Sequence, residues 1–257
     1  MISQAGEIVA RKMYLKQFII HSIHTSFLRL TRYKSFTFIL FPFLFLTLTP
    51  AAREYMGREI AQTMHYSGAE WLLRESRERE EATGEVMKQL KIKPGMVVCD
   101  LGSGNGYYTL KLARQVGEQG QVLAVDIQQE MLSMLQKRSK AENLQNIRTI
   151  LGTETDPNLP PDTFDLVLLV DVYHEFSHPE DMLKSIRTSL KDNGRVALLE
   201  YRAEDASVPI KPLHKMSKEQ ILKEFTANGF TLAEEYDELP WQHMMFFQRA
   251  ETDSHHN

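Results

Sequence analysis

The stretch Val97-Val98-Cys99-Asp100-Leu101-Gly102-Ser103-Gly104-Asn105-Gly106-Tyr107 constrains this chain more than any other. An apolar run that reads as a strand meets three alternating glycines and passes at once into the helical pattern Tyr108-Thr109-Leu110-Lys111-Leu112-Ala113. A turn this tight needs residues without Cβ, both to reach positive φ and to let a ligand touch the backbone. The unpaired N–H groups that open the helix then face that ligand. About twenty residues past the last glycine, the apolar run Val122-Leu123-Ala124-Val125 ends in Asp126, whose carboxylate is placed to accept both hydroxyls of a ribose. Together these features imply a nucleoside-containing cofactor.

The spacing narrows the choice. A dinucleotide turn reads G-x-G-x-x-G, whereas here the glycines fall as G-x-G-x-G with Asp100 two positions ahead. An anion there would repel a pyrophosphate but suit an ammonium group. The stretch resembles the first motif, D-x-G-x-G-x-G, of the class I, Rossmann-like S-adenosylmethionine-dependent methyltransferases. The resemblance is good over residues 85–205 and looser to about 249. It implies S-adenosylmethionine as cofactor, with the glycine turn on its methionine part and Asp126 on its ribose. The implied cofactor contacts are Asp100, Gly102, Ser103, Gly104, Gly106, Tyr107, Asp126, Ile127, Glu154 and Asp171. In the loop after the third strand the family often places Asp where this chain has Thr153, so the adenine contact falls to Glu154 or to Asp156. Tyr107 is read either as a packed core residue or as an aromatic face near the sulfonium.

Charge is divided unevenly along the 257 residues. Residues 1–52 carry +5 and the remainder −9, within a net charge of −4. An acidic body is a poor partner for phosphate backbones, which demotes nucleic-acid substrates. Arg29, Arg32 and Lys34 precede an apolar run from Phe36 to about Leu48, short for a spanning helix and suited to a signal-peptide core. Residues 1–52 are therefore expected to be a signal peptide or membrane anchor apart from the fold, with residues 35–49 as the point of membrane association. Positive charge ahead of the run would place the body outside the cytoplasm, while the implied cofactor is made inside it. The single cysteine, Cys99, excludes an intramolecular disulfide.

Residues 53–92 are expected to form a helical cap, and 93–250 the cofactor-binding domain, with a disordered tail at 251–257. The charged run Arg74-Glu75-Ser76-Arg77-Glu78-Arg79-Glu80-Glu81 reads as a solvated helix face with i,i+4 ion pairs, and Trp71 or Arg74 as part of a lid. From 96 onward strands are expected at 96–100, 121–126, 147–151, 164–171 and 195–201, alternating with helices near 106–117, 128–142, 179–191 and 217–228. Lys93-Pro94-Gly95 and Asp192-Asn193-Gly194 punctuate them as turns. Runs such as Leu166-Val167-Leu168-Leu169-Val170 are apolar throughout, as strands covered on both faces are. The expected fold is α/β, a doubly wound, mostly parallel seven-stranded sheet with helices on both faces. The segments Gly229–Leu232 and Met244–Gln248 supply its closing antiparallel hairpin, a habit of the family.

Ligands of such sheets bind beyond the carboxyl ends of the strands. The fourth strand ends in Asp171-Val172-Tyr173-His174-Glu175-Phe176, which makes His174, Glu175 and Asp171 the candidate catalytic residues, with His174 first as general base. His174-Glu175-Phe176-Ser177-His178 also matches the zinc-peptidase pattern H-E-x-x-H, which requires a continuous helix. Pro179 disfavours helix at His178 and suits the first turn of a new one, so no metal site is expected and His178 or Ser177 reads as a helix cap. Arg202, Lys211 and His214, in the long loop after the fifth strand, would suit an anionic small substrate, while a solvated loop is the default expectation. Trp241 and His243 either close the same pocket or pack. The leading expectation is methyl transfer to a small or lipid-like acceptor. A cofactor-binding sensor or membrane-tethered partner protein of the same fold that has lost transfer is the alternative, and a nicotinamide oxidoreductase is disfavoured by the glycine spacing and by Asp100.

Overall fold

The computed structural model describes residues 53–251. The signal or anchor expectation for 1–52, and with it the apolar run 36–48, lies outside the described residues, as does the tail from 252. Among the described residues no helix is long and apolar enough to cross a membrane.

The chain enters through a small hairpin, β1 (Glu54–Tyr55) and β2 (Arg58–Glu59), where Met56 and Gly57 both take positive φ at the turn. A 3₁₀ segment, Tyr66–Leu73, and two short helices, α1 (Arg77–Glu81) and α2 (Thr83–Gln89), complete this region. It was expected to be wholly helical, but its helices are short and interrupted, because Ala82 adopts the left-handed conformation between α1 and α2.

Strands and helices then alternate: β3 (Val97–Leu101), α3 (Tyr107–Val116), β4 (Gln121–Asp126), α4 (Gln129–Ala141), β5 (Ile147–Leu151), β6 (Phe164–Val170), α5 (Pro179–Ser189), β7 (Leu190–Tyr201), α6 (Lys218–Ala227), β8 (Phe230–Tyr236) and β9 (Gln242–Arg249). The seven strands β3 to β9 form one sheet in the order β5-β4-β3-β6-β7-β9-β8. β3 pairs in parallel with both β4 and β6, and β9 runs antiparallel between β7 and β8. The order reverses around β3, so a crevice opens beyond the carboxyl ends of β3, β4 and β6.

Successive residues of a strand point to opposite faces, and the two cores follow that alternation. Val98, Val122, Leu166 and Leu168 pack with α2 and α3 on one side. Cys99, Leu123, Val167 and Leu169 pack with α5 and α6 on the other. Asp192-Asn193-Gly194 lies within β7 rather than ahead of it. Between the pairs Phe164–Leu190 and Leu166–Arg195, β7 advances five residues while β6 advances two, so the turn-forming triplet is absorbed in a bulge.

Two side chains illustrate how the sheet is held. Phe225, from α6, is fully buried, stacks on Phe247 with ring centroids 4.2 Å apart and meets Tyr173 at 5.1 Å. Asp100 is 4% exposed, and its carboxylate accepts the Thr109 hydroxyl, which ties β3 to α3. Burial pushes the Asp100 carboxyl up to about 6, opposed by the Thr109 bond and Arg77, with Asp126 adding to the rise.

Phe225→Ala should lower the unfolding free energy by about 3–5 kcal/mol, read from urea denaturation. Asp100 supplies a pH signature. Its folded pKa lies above the ordinary carboxylate value, so its protonated form favours the fold below pH ~4, and that contribution is lost as pH rises through about 6. Asp100→Asn keeps an acceptor for Thr109 and removes the titration. The stability of the variant relative to the parent should therefore rise between pH ~4 and ~6 and level off above, by at most ~3 kcal/mol.

Candidate active site

A cavity of about 450 Å³ opens at the carboxyl ends of β3, β4 and β6. The glycine turn forms its floor. Gly102 stands at φ +77°, and a Cβ there would come within 2.4 Å of Val172 Cγ2; Gly104 stands at φ +53°, and a Cβ there would meet Leu72 Cδ1 at 2.7 Å. Both positions require a bare backbone. Asp126 closes β4 beside them. One of its oxygens accepts the Gly104 N–H at 2.9 Å and the other the Gln128 N–H at 2.9 Å. A carboxylate offers about four lone-pair sites, so Asp126 keeps capacity for a ligand diol. Burial raises its pKa, against the pull of those backbone donors.

Of the residues singled out by sequence, Gly102, Gly104, Asp126, Ile127, Glu154, Asp171, His174 and Glu175 line this one cavity. Asp100, Ser103, Gly106 and Tyr107 do not. Asp100 faces Thr109 behind the turn, and Gly106 faces Leu135 as the N-cap of α3. The Tyr107 ring lies 4.1 Å from the Arg77 guanidinium and its hydroxyl meets Thr83 at 3.0 Å, so it packs and offers the cavity no aromatic face. In the loop after β5, Glu154 lines the cavity while bonding Arg53 at 2.9 Å and Ser177 at 2.8 Å. Asp156 instead accepts the Asn158 N–H within the loop.

At the end of β6 the chain turns sharply, with Asp171 at φ +50°. Its carboxylate is bonded on both oxygens by Gln242 Nε2, each at 2.9 Å. Burial, and then the Glu81 and Glu200 carboxylates, push its pKa well above the ordinary range. His174 follows on a single 3₁₀ turn, Tyr173–Glu175. Glu200, buried near the end of β7, holds it twice, accepting the His174 backbone N–H at 3.2 Å and facing ring Nδ1 at 2.6 Å. Burial disfavours the charged ring, but Glu200 outweighs it and the pKa rises. His174 Nε2 stands 3.0 Å from His214 Nδ1. Glu175, pushed up to about 7 by burial, accepts the Met64 N–H at 3.1 Å and places the same Oε1 3.8 Å from His174 Nε2.

One expectation needs correction and two are narrowed. The Arg74–Glu81 run is exposed at Glu75, Glu78 and Arg79 but turns its other charged groups inward. Arg77 is 4% exposed and Glu81 fully buried, the latter accepting from Arg74, from Arg77 at 2.7 Å and from the Tyr201 hydroxyl at 2.9 Å. The i,i+4 pairing anticipated there does form, but in the interior. His178 occupies the N-cap of α5 with Pro179 at N1, yet neither it nor Ser177 caps by side chain: His178 meets Ser177, and Ser177 bonds Glu154. Arg202, Trp241 and His243 do not reach the cavity. Arg202 donates to the carbonyls of Pro240 and Asp237 and His243 pairs with Glu204, while Lys211 and His214 do line it.

The lid was legible only in outline. Trp71 and Leu72, from the 3₁₀ segment, line the cavity, and Arg74 stacks 3.7 Å over the Trp71 ring. Sequence reading missed Gln242 and Glu200. The signal for Glu200 was available, since a lone carboxylate near the end of an apolar strand is what marked Asp126.

Comparison with known proteins agrees with this architecture. A family model described as "Methyltransferase domain" matches residues 92–248. A demethylmenaquinone methyltransferase of Lactobacillus johnsonii is 33% identical over 139 residues, 54% of this chain and 55% of that protein. The ubiquinone/menaquinone biosynthesis C-methyltransferase UbiE of Vibrio campbellii is 30% identical over 110 residues, 42% of each chain. The matched region thus spans about half the length of these curated relatives. A solved SAM-dependent methyltransferase from Aquifex aeolicus superposes with a TM-score of 0.68 at 24% identity, covering 72% of this chain and 98% of that one, a likeness of fold. With the sheet order, the glycine turn and the family match in agreement, the chain belongs to the class I, S-adenosylmethionine-dependent methyltransferase family.

Proposed function

We propose that the chain binds S-adenosylmethionine in this cavity and transfers its methyl group to a small, largely apolar acceptor of quinone-like chemistry. The observation that carries the reading is that Asp126, bonded to the bare Gly102–Gly104 turn, lines one cavity together with His174. The residues suit the cofactor: a carboxylate with free lone pairs for a sugar diol, positive-φ glycines that admit close approach, and an acidic surround for a cation. When bound, S-adenosylmethionine supplies a methyl group on a positively charged sulfur, open to in-line displacement.

The chain's own contribution is alignment, which can supply several kcal/mol of a methyl-transfer barrier. Asp126 holds the ribose hydroxyls, with Ile127 beside it. Glu154 approaches the adenine end, where Ser177 and Arg53 fix its position. Asp171 stands by the methionine end, oriented by Gln242. Trp71, Leu72, Phe176 and Ile210 give the remaining wall its apolar character, and an aromatic or isoprenoid-like acceptor suits such a wall. The names of the relatives, which act in quinone biosynthesis, favour the same class. His174, held by Glu200, receives the acceptor's proton where the acceptor must ionise to become nucleophilic.

Two substitutions test this. Asp126→Ala should weaken S-adenosylmethionine binding at least about tenfold by calorimetry, the loss of charge-assisted hydrogen bonds of about 1.5–3 kcal/mol. His174→Ala should leave cofactor affinity within about twofold while lowering turnover of a reduced quinone by about 10²–10⁴, followed with a labelled methyl donor. A chain that binds the cofactor but turns over no such acceptor would overturn the transfer reading and leave a cofactor-binding protein.

A further inference from the structure

His174, Glu175 and His214 bring three ligand atoms to one point on the cavity wall. His174 Nε2 and His214 Nδ1 are 3.0 Å apart, and Glu175 Oε1 is 3.8 Å from each of them. The nearest point equidistant from these atoms lies in their plane, about 2.1 Å from each, within the range of bond lengths that imidazole nitrogen and carboxylate oxygen make to zinc. A hydrogen bond between the two histidines accounts for their own separation. It leaves unexplained the buried Glu175 carboxylate, which receives a single backbone donor from Met64 and a proton from neither ring.

The surroundings are those of a metal ligand set. The second ring nitrogen of His174 is engaged by a carboxylate, Glu200 Oε2 at 2.6 Å, the outer-shell arrangement that fixes the tautomer and orientation of a metal-bound histidine. Glu200 also accepts the His174 backbone N–H, so ring and backbone are fixed together. Two carboxylates face the His174 ring, Glu200 at 2.6 Å and Glu175 at 3.8 Å. All three ligand residues line the cavity, which leaves a fourth position for a solvent molecule or a substrate oxygen.

We propose that His174, Glu175 and His214 form a binding site for one divalent transition-metal ion of the zinc class, with its open coordination position facing the acceptor end of the cavity. The H-E pair here belongs to a different ligand set from the zinc-peptidase motif. Its third ligand is His214, forty residues on, and His178 is turned toward Ser177. The site stands on side-chain geometry and does not depend on methyl transfer. If both readings hold, an acceptor hydroxyl that binds the ion loses its proton to solvent more readily, and coordination replaces proton abstraction by the ring.

The test uses the full chain and Zn²⁺ alone. Equilibrium dialysis followed by metal analysis should show one tightly held ion in the parent. Its affinity should fall at least about tenfold in His214→Ala and in Glu175→Gln and stay unchanged in His178→Ala. A His255→Ala/His256→Ala variant, measured alongside, should keep the ion and so separate the site from the histidines of the tail. Cobalt(II) should give strong four-coordinate visible bands in the parent and lose them in His214→Ala. X-ray absorption of the zinc-loaded parent should show two imidazoles and two further oxygen donors, the Glu175 carboxylate and a solvent molecule, a readout that survives any variant that fails to fold. Equal zinc affinity in the parent and His214→Ala, or a ligand shell without two imidazoles, would overturn the site. Calorimetry with S-adenosylmethionine on the same samples separates that failure from a failure of the cofactor reading.

Discussion

The structure depends on how carboxylates are tolerated at one edge of the sheet. β4 ends in Asp126, β6 is followed at once by Asp171, and Glu200 lies one residue from the end of β7. Parallel pairing aligns these ends, with Val170 opposite Leu199 and the Asp171 N–H on the Leu199 carbonyl. Like charges gathered away from water disfavour one another's ionised forms. Asp171 shows the result, its pKa well raised by burial and by Glu81 and Glu200. An edge of this kind suits a cationic ligand, and the cofactor of the family carries a sulfonium and an ammonium group. The acidity of the body, which speaks against nucleic acid, is thus partly a property of the site.

The N-terminal region answers the same constraint with arginines. Arg58 pairs with the buried Glu224 at 2.6 Å and donates to the His174 carbonyl at 3.1 Å. Arg74 and Arg77 both serve Glu81, which also receives Tyr201 from β7. Removing one partner of such a buried group leaves an uncompensated charge, which costs several kcal/mol. The lid between these anchors is held differently. Asn105 donates to the Ala69 carbonyl at 2.7 Å and Gln128 to the Met64 carbonyl at 2.9 Å, while Trp71 and Leu73 remain 41% and 42% exposed. Of the 3₁₀ segment Tyr66–Leu73 only Ala69 is buried, so it carries little of the packing that holds the sheet. Rigid anchors flanking a weakly packed cover suit a site that must admit a cofactor.

What sequence made legible follows from the range of each interaction. The strand–glycine–helix turn and Asp126 are local, with the geometry written into consecutive residues. The βα alternation is likewise a periodic signal, and it placed the sheet strands and their helices closely, except at the start of β7 and at the end of β8, which runs on to Tyr236. In β7 the turn triplet Asp192-Asn193-Gly194 sits in a bulge, because pairing with β6 continues on both sides of it. The buried Arg77–Glu81 pair was misread for another reason. A charged run carries no mark of burial unless its partner is known, and Tyr201 lies 120 residues away. Asp100 was legible as a conspicuous acid but not as one turned toward Thr109, since both sides of the turn are open to a side chain until the helix is placed.

The same distinction governs the acceptor end. A helical metal motif is read from one segment, because i and i+4 share a face. A sheet edge assembles its groups from separate loops. Here His174 comes from the turn after β6, Glu200 from β7, and His214 from the long connection to α6. The cofactor half of the cavity is built on contiguous β3 and β4 geometry, and so it is recognisable from the chain alone. The His174 side is built from long-range pairs, which can change without disturbing the sheet. A shared fold therefore constrains the β3–β4 side of the cavity more closely than it constrains the groups that the loops bring to the other side.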